Sequence, residues 1–239
     1  PTELNVPNRV EIWADDVLVQ NYTHESGTIL GTNLEKYLAL DCVKKFDAKI
    51  GNVGYETLAA AVEAAQAGET VTLLRDVAAS DIITINKAIA LDGNGKKLTS
   101  TAGRAINVDC EGNVGIKNLT INASGERAIN VIQNATNVTI DGVTATAANY
   151  TVNIAGSAPN AVVAINNSTL NGLCTVNVGA AGVQVTVDKS VVNCNDNNTT
   201  AGESYAALCL NKEAVGGSIV ATNTTVNVAE GSDSMKGRN

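Results

Sequence analysis

Large rings are scarce in this chain of 239 residues. Trp13, Phe46 and the tyrosines Tyr22, Tyr37, Tyr55, Tyr150 and Tyr205 make up 3% of it, so aliphatic side chains must fill its core. Basic residues are also few, 16 Lys+Arg against 24 Asp+Glu, for a net charge of −8. They form no run longer than a pair, which argues against a nucleic-acid partner and an anionic membrane surface, since both require clustered cations. No stretch of about 18 apolar residues occurs, so no membrane span is expected. The opening residues carry no signal-peptide pattern of basic and apolar regions. The one histidine, His24, stands alone as an ordinary surface residue and supports no His-based triad. The five cysteines, Cys42, Cys110, Cys174, Cys194 and Cys209, are odd in number and lack C-x-x-C spacing, which disfavours a disulfide framework or a zinc site. They read as small buried hydrophobes; Cys194 and Cys209 flank one loop and would pair only in an exported protein.

What the chain has is aliphatic and amide. Hydrophobic residues reach 44%, Asn numbers 29 and Gly 21, and much of the rest is Val, Ile, Ala and Thr, a composition of strands and tight turns. The strongest signal is internal repetition. One phrase recurs around Ile106, Ile129, Val152, Val176 and Leu208, at intervals of 23, 23, 24 and 32. A second recurs around Leu91, Ile116, Ile140, Ile165, Val187 and Ala221, at intervals of 25, 24, 25, 22 and 34. Both series lengthen at one place, where the polar stretch Asn195 to Ser204 lies. Two independent periodicities therefore agree on one insertion.

Leucine-rich repeats have a similar period, but their Leu consensus is missing and each unit holds only short β-type runs. After each apolar alternation comes a polar or Gly pair and then a further alternation, as in Leu119-Thr120-Ile121 and Val143-Thr144-Ala145. The pattern fits an all-β, right-handed parallel β-helix of about six or seven coils, with aliphatic columns inside. Upstream, residues 55 to 67 read as an α-helix with Leu58, Ala61, Val62 and Ala65 on one face and Gly68 as its stop. The end of a solenoid exposes core and backbone, and this helix is expected to cap it.

The stretch Ala48-Lys49-Ile50-Gly51, Tyr55-Glu56-Thr57-Leu58, Gly68 to Val77 and Leu91-Asp92-Gly93-Asn94-Gly95 resembles the opening of pectin-lyase-like β-helix modules of bacterial surface and secreted proteins. The resemblance extends over about residues 48 to 228. It implies export, with an extracellular or cell-surface location, and a β-helix. It leaves activity open among polysaccharide lyases, glycoside hydrolases, adhesins and modules with no known chemistry.

Enzymes of this shape typically carry catalysis on the outside of one parallel sheet. In the first repeat phrase Ile and Val face inward, so the outward set is Ala105, Asn107, Ala128, Asn130, Thr151, Asn153, Thr175, Asn177 and Cys209, with Arg104 and Arg127 beside it one coil apart. A calcium-dependent lyase needs several acids and a base, and a hydrolase needs paired carboxylates. This set supplies neither, so no residue is assigned a catalytic, metal-binding or cofactor role. Asp109 reads as a turn residue. The column Asp92, Lys117, Asp141, Asn166 and Asp188 reads as a solvated charge ladder rather than a calcium site, because Lys117 stands within it. The Asn column has two readings: stacked amides that stiffen the sheet, or a strip in which Arg104, Asn107, Arg127, Asn130, Asn153 and Asn177 bind an extended glycan or a protein. Scarce aromatics argue against sugar stacking on the helix. Asn-x-Ser/Thr triplets are incidental to an Asn- and Thr-rich repeat.

Three segments follow. Residues 1–47 form an N-terminal β-rich segment or cap, with a hairpin of Val10 to Ala14 and Val17 to Tyr22 and a short helix from Asn33; a binding module built on Trp13 and Tyr22 is the less favoured alternative. Residues 48–229 form the β-helix, and residues 230–239 a polar, frayed tail. With no evident cap at that end, the chain is expected to be part of a longer multidomain protein. The expected role is a non-catalytic structural or adhesive surface for a polysaccharide or a host or bacterial surface protein, and the alternative is a lyase or hydrolase of the pectate-lyase-like type.

Overall fold

The computed structural model describes residues 46–195 and 205–229 in full, together with the backbone of the strands Glu3–Asn5, Arg9–Ala14, Val17–Thr23, Thr28–Leu30 and Asp233–Gly237. It is a parallel β-solenoid whose coils each place one strand in each of three sheets. One coil runs Asn113–Lys117 in the first sheet, Thr120–Ala123 in the second and Arg127–Val131 in the third. The second and third sheets are each seven strands deep. Five consecutive coils, from Thr70 to Val178, lie wholly within the fully described residues.

The two sequence periodicities are the registers of two sheets. Leu91, Ile116, Ile140, Ile165, Val187 and Ala221 are successive partners in the first. Ile106, Ile129, Val152, Val176 and Leu208 are successive partners in the third. The second sheet adds the column Leu98, Ile121, Ala145, Leu170 and Val192. Except at the last coil, nearly every member is sealed from solvent and belongs to one continuous core. The chain leaves the ladder at Asn195 and resumes it at Ala206–Leu210, which pairs with Cys174–Val178 and accounts for the longer interval.

The bend after the first sheet explains part of the Asn content. Asn118, Asn167 and Asn223 stand there at φ 50°, 48° and 49°, with Gly142 and Lys189 at the same place in other coils. Left-handed backbone is open to Gly and tolerated by Asn. Each such Asn also reaches one coil back: the amides of Asn118, Asn167 and Asn223 donate to Asp92, Asp141 and Asp188 at 3.3, 2.8 and 2.9 Å. In the last coils the next residue is hydroxylic. Ser168 and Ser190 each accept from the backbone N–H one coil back, that of Val143 and of Ser168, and donate to Asn166 and Asp188 carbonyls.

At the head of the solenoid the expected helix is present but shorter: α1 spans Leu58–Ala64, not 55 to 67. Thr57 caps it by accepting from the Ala60 N–H at 3.1 Å, and the backbone of Ala65 turns extended, so the helix ends at Ala64, four residues before Gly68. Tyr55 belongs instead to a hairpin, Ala48–Ile50 with Val53–Tyr55. Ala48–Ile50 runs antiparallel to Thr70–Leu73 and closes the edge of the first sheet, while Leu58, Ala61 and Val62 of α1 complete the core. Capping is therefore shared by helix and hairpin.

The predicted N-terminal hairpin is present as an antiparallel pair, Arg9–Ala14 with Val17–Thr23. The expected helix from Asn33, His24 and Cys42 lie outside the described residues. The tail differs from expectation. Asp233–Gly237 adds a strand to the third sheet, with Leu208 opposite Met235, although its sequence lacks the aliphatic alternation of the other coils.

Candidate functional site

The third sheet brings the sequence candidates together in two outward columns. One is Arg104, Arg127, Tyr150 and Cys174, in successive register. The other is Thr84, Asn107, Asn130, Asn153, Asn177 and Cys209.

The Asn column is a continuous amide ladder. Asn130 donates to Asn107 at 2.9 Å, Asn153 to Asn130 at 2.7 Å, and Asn177 to Asn153 at 2.8 Å. Each Nδ2 thus donates to the Oδ1 of the coil before, as strands about 4.8 Å apart permit. Thr84 is exposed and Asn107 half-buried, whereas Asn130, Asn153 and Asn177 are buried, at 2%, 4% and 6% exposed. The interior amides are engaged with one another. Ala105, Ala128, Thr151 and Thr175, expected in the outward strip, are fully buried. Ala105 and Ala128 pack into the core, and the hydroxyls of Thr151 and Thr175 donate to the carbonyls of Asn171 and Asn193 at 2.6 and 2.8 Å.

The Arg column forms an aromatic corner that the scarcity of rings concealed. The Arg127 guanidinium lies 5.5 Å from the Tyr150 ring centre, and Tyr150 meets Tyr205 edge-on at 6.1 Å. Cation–π geometry of this kind holds a guanidinium in place without neutralising it. Burial pushes the Tyr150 phenol above its usual range, Tyr205 and Cys174 add to this, and Arg127 opposes it. Glu126 places a carboxylate oxygen 3.8 Å from Arg127 Nη1, and Arg127 Nε is buried with no hydrogen-bond partner among the described residues. A buried, unmatched donor is costly and uncommon in native structures. Arg104, one coil earlier, is half-exposed.

The charged column at the first bend is a structural ladder. Lys117 Nζ stands 3.3 Å from Asp92 Oδ2, and the carboxylates accept from the bend amides. Asp109 accepts from the backbone and side-chain N–H groups of Asn134 at 3.2 and 2.9 Å, as a turn residue does. Among the described residues no three His, Cys, Asp or Glu side chains gather closely enough to hold a metal ion. Cys110, Cys174, Cys194 and Cys209 are all buried. The Cys194 thiol is directed at the Leu173 carbonyl and that of Cys209 at Asn211 Oδ1. Among the described residues no helix is long and apolar enough to cross a membrane.

Fold and corner together define a parallel β-solenoid with an amide ladder and a cationic, aromatic edge on its third sheet. No protein-family model, curated protein or solved structure matches the chain.

Proposed function

We propose that this chain is a non-catalytic structural or adhesive β-helix module of an exported bacterial surface protein, presenting an elongated face for contact with a glycan or a surface protein. The observation that carries the reading is the third-sheet corner: the Arg127 guanidinium held over Tyr150, Arg104 in register beside it, and the accessible end of the amide ladder, Asn107, adjoining. A pre-organised guanidinium next to ring faces and amides is equipped for hydrogen-bonded contact with hydroxyl or carboxylate groups. The interior amides Asn130, Asn153 and Asn177 stiffen that face from behind and do not themselves reach a ligand. Support also comes from the carboxylates. Asp92, Asp141, Asp188 and Asp109, the acids a lyase or hydrolase would recruit, are each committed to hydrogen bonds between coils. The resemblance of residues 48 to 228 to pectin-lyase-like modules of bacterial surface proteins points the same way.

The test is binding of the purified chain to a glycan array and to a panel of cell-surface proteins, beside the R104A/R127A variant. Binding that the double variant loses, without turnover of the ligand, is the expected result. Release of unsaturated or hydrolysed sugar products would overturn the non-catalytic reading. Binding unchanged in the variant would move the contact off this corner.

A further inference from the structure

Charge is arranged differently on the three sheets. On the first and second, a lysine meets an acid one coil back: Lys117 Nζ lies 3.3 Å from Asp92 and Lys97 Nζ 3.9 Å from Asp76. The third sheet does the opposite. Arg104 and Arg127 are direct partners on adjacent strands, so two guanidiniums leave the sheet side by side from backbones about 4.8 Å apart. Like charges directly opposite each other destabilise a sheet. Arg104 makes no ion pair with a described carboxylate, Asp81 at the same offset one coil back included. Beside Arg127 stands its chain neighbour Glu126, at 3.8 Å and with its side chain 55% exposed. Residues 142 to 187, the next stretch toward the tail, hold no charged residue to quench the pair. An anion seated between the two guanidiniums relieves their repulsion and accepts from both.

The surroundings select the carrier of that anion. The Tyr150 ring is engaged by the Arg127 guanidinium and by Tyr205, and the amides of Asn130, Asn153 and Asn177 are buried and bonded to one another. Rings and interior amides, the groups that receive sugar faces and hydroxyls, are thus taken up within the chain. A peptide carboxylate needs only the guanidinium forks. The chain carries a net charge of −8, but the screening length at physiological ionic strength is about 8 Å, so the local pair outweighs distant acids.

We propose that Arg104 and Arg127 together bind a carboxylate of an acidic polypeptide segment, so that this face takes a protein rather than a glycan. The inference rests on the corner being the contact surface. The probe is a fluorescein-labelled oligoglutamate peptide, titrated with the 239-residue chain and read by anisotropy, beside oligoglutamine and oligogalacturonate carrying the same label. Oligoglutamate binds, and added salt weakens it. R104Q and R127Q each weaken it about tenfold or more, the loss of one charge-assisted contact. K212Q removes the same charge from a lysine beside Glu213 and leaves binding unchanged. E126Q removes the acid that competes for Arg127 and tightens binding, a change of sign that a purely structural arginine does not produce. R104Q melts no lower than wild type, because it relieves the like-charge pair; a lower melt would make Arg104 structural and overturn the argument. Oligoglutamate that fails to bind, binds R104Q equally well, or is matched by oligoglutamine would also overturn it. Tighter binding of oligogalacturonate through the same arginines would overturn the choice of partner while leaving the corner as the contact face.

Discussion

Asn153 is the position at which the amide ladder can be weighed. Its Nδ2 donates to Asn130 Oδ1 at 2.7 Å and its Oδ1 accepts from Asn177 Nδ2 at 2.8 Å, and all three residues are buried. Asn153→Ala removes both bonds and strands an acceptor on Asn130 and a donor on Asn177. Each buried group left unsatisfied costs about 1–3 kcal/mol, so the pair costs about 2–6 kcal/mol. Asn107→Ala is the matched control. Asn107 makes one ladder bond, accepting from Asn130 at 2.9 Å, and is half-buried, so water can replace it. The control should cost about 0.5–1.5 kcal/mol, the net worth of one such bond.

A gap of about 3 kcal/mol between the variants corresponds to about 6–12 °C in melting temperature for a domain of this size. Thermal melts followed by far-ultraviolet circular dichroism, with urea midpoints as a second measure, read it directly. If Asn153→Ala melts alongside Asn107→Ala, the interior amides reach water, and the claim that the ladder is a sealed chain of obligatory bonds is refuted.

Acid should act through the bend carboxylates. Burial raises Asp92, but the Asn94 N–H, the Asn118 amide and Lys117 outweigh it and hold the carboxyl below its ordinary range; at Asp188 the Asn223 amide and the Thr222 hydroxyl lead the same shift. A folded-state value below the unfolded one contributes stability above the usual carboxylate range and loses it as pH falls through the folded value. D92N/D188N should therefore flatten the acid limb of a stability profile, and an unchanged limb would count against these two groups. A Cβ added at Gly125 would stand 2.0 Å from the Ala102 carbonyl oxygen of the coil before, whereas one at Gly103 meets nothing within 4 Å. Gly125→Ala should cost about 3 kcal/mol or more by overpacking against backbone, with Gly103→Ala within about 0.5 kcal/mol of wild type in urea unfolding.

The solenoid was legible because its geometry repeats in one dimension. Each coil must present an aliphatic residue to the same interior point, so the ladder register appears in the chain as an interval, and the insertion after Cys194 lengthens both intervals together. The head hairpin offered no such trace. Its strands are three residues long and turn at Gly51, too short for alternation to separate Tyr55 from the start of a helix.

At the site, the spacing of the chain carries part of the signal. Arg104 and Arg127 stand two residues before Ile106 and Ile129; the same offset before Val152 and Val176 falls on Tyr150 and Cys174. That offset, carried through every coil, places a ring beside Arg127 in the sequence itself. Tyr205 follows the insertion, where the offset fails, and its contact with Tyr150 spans two coils that no interval links. Burial of the Asn column was illegible for another reason. Alternation tells which side of a strand a residue occupies, and an Asn that faces outward is ordinarily wet. Asn130, Asn153 and Asn177 are dry, with each side chain bonded to the one before it, and only the three-dimensional stack reveals that. The same stack gives this face a run of buried, mutually bonded amides that ends at half-buried Asn107, on the strand that also carries Arg104.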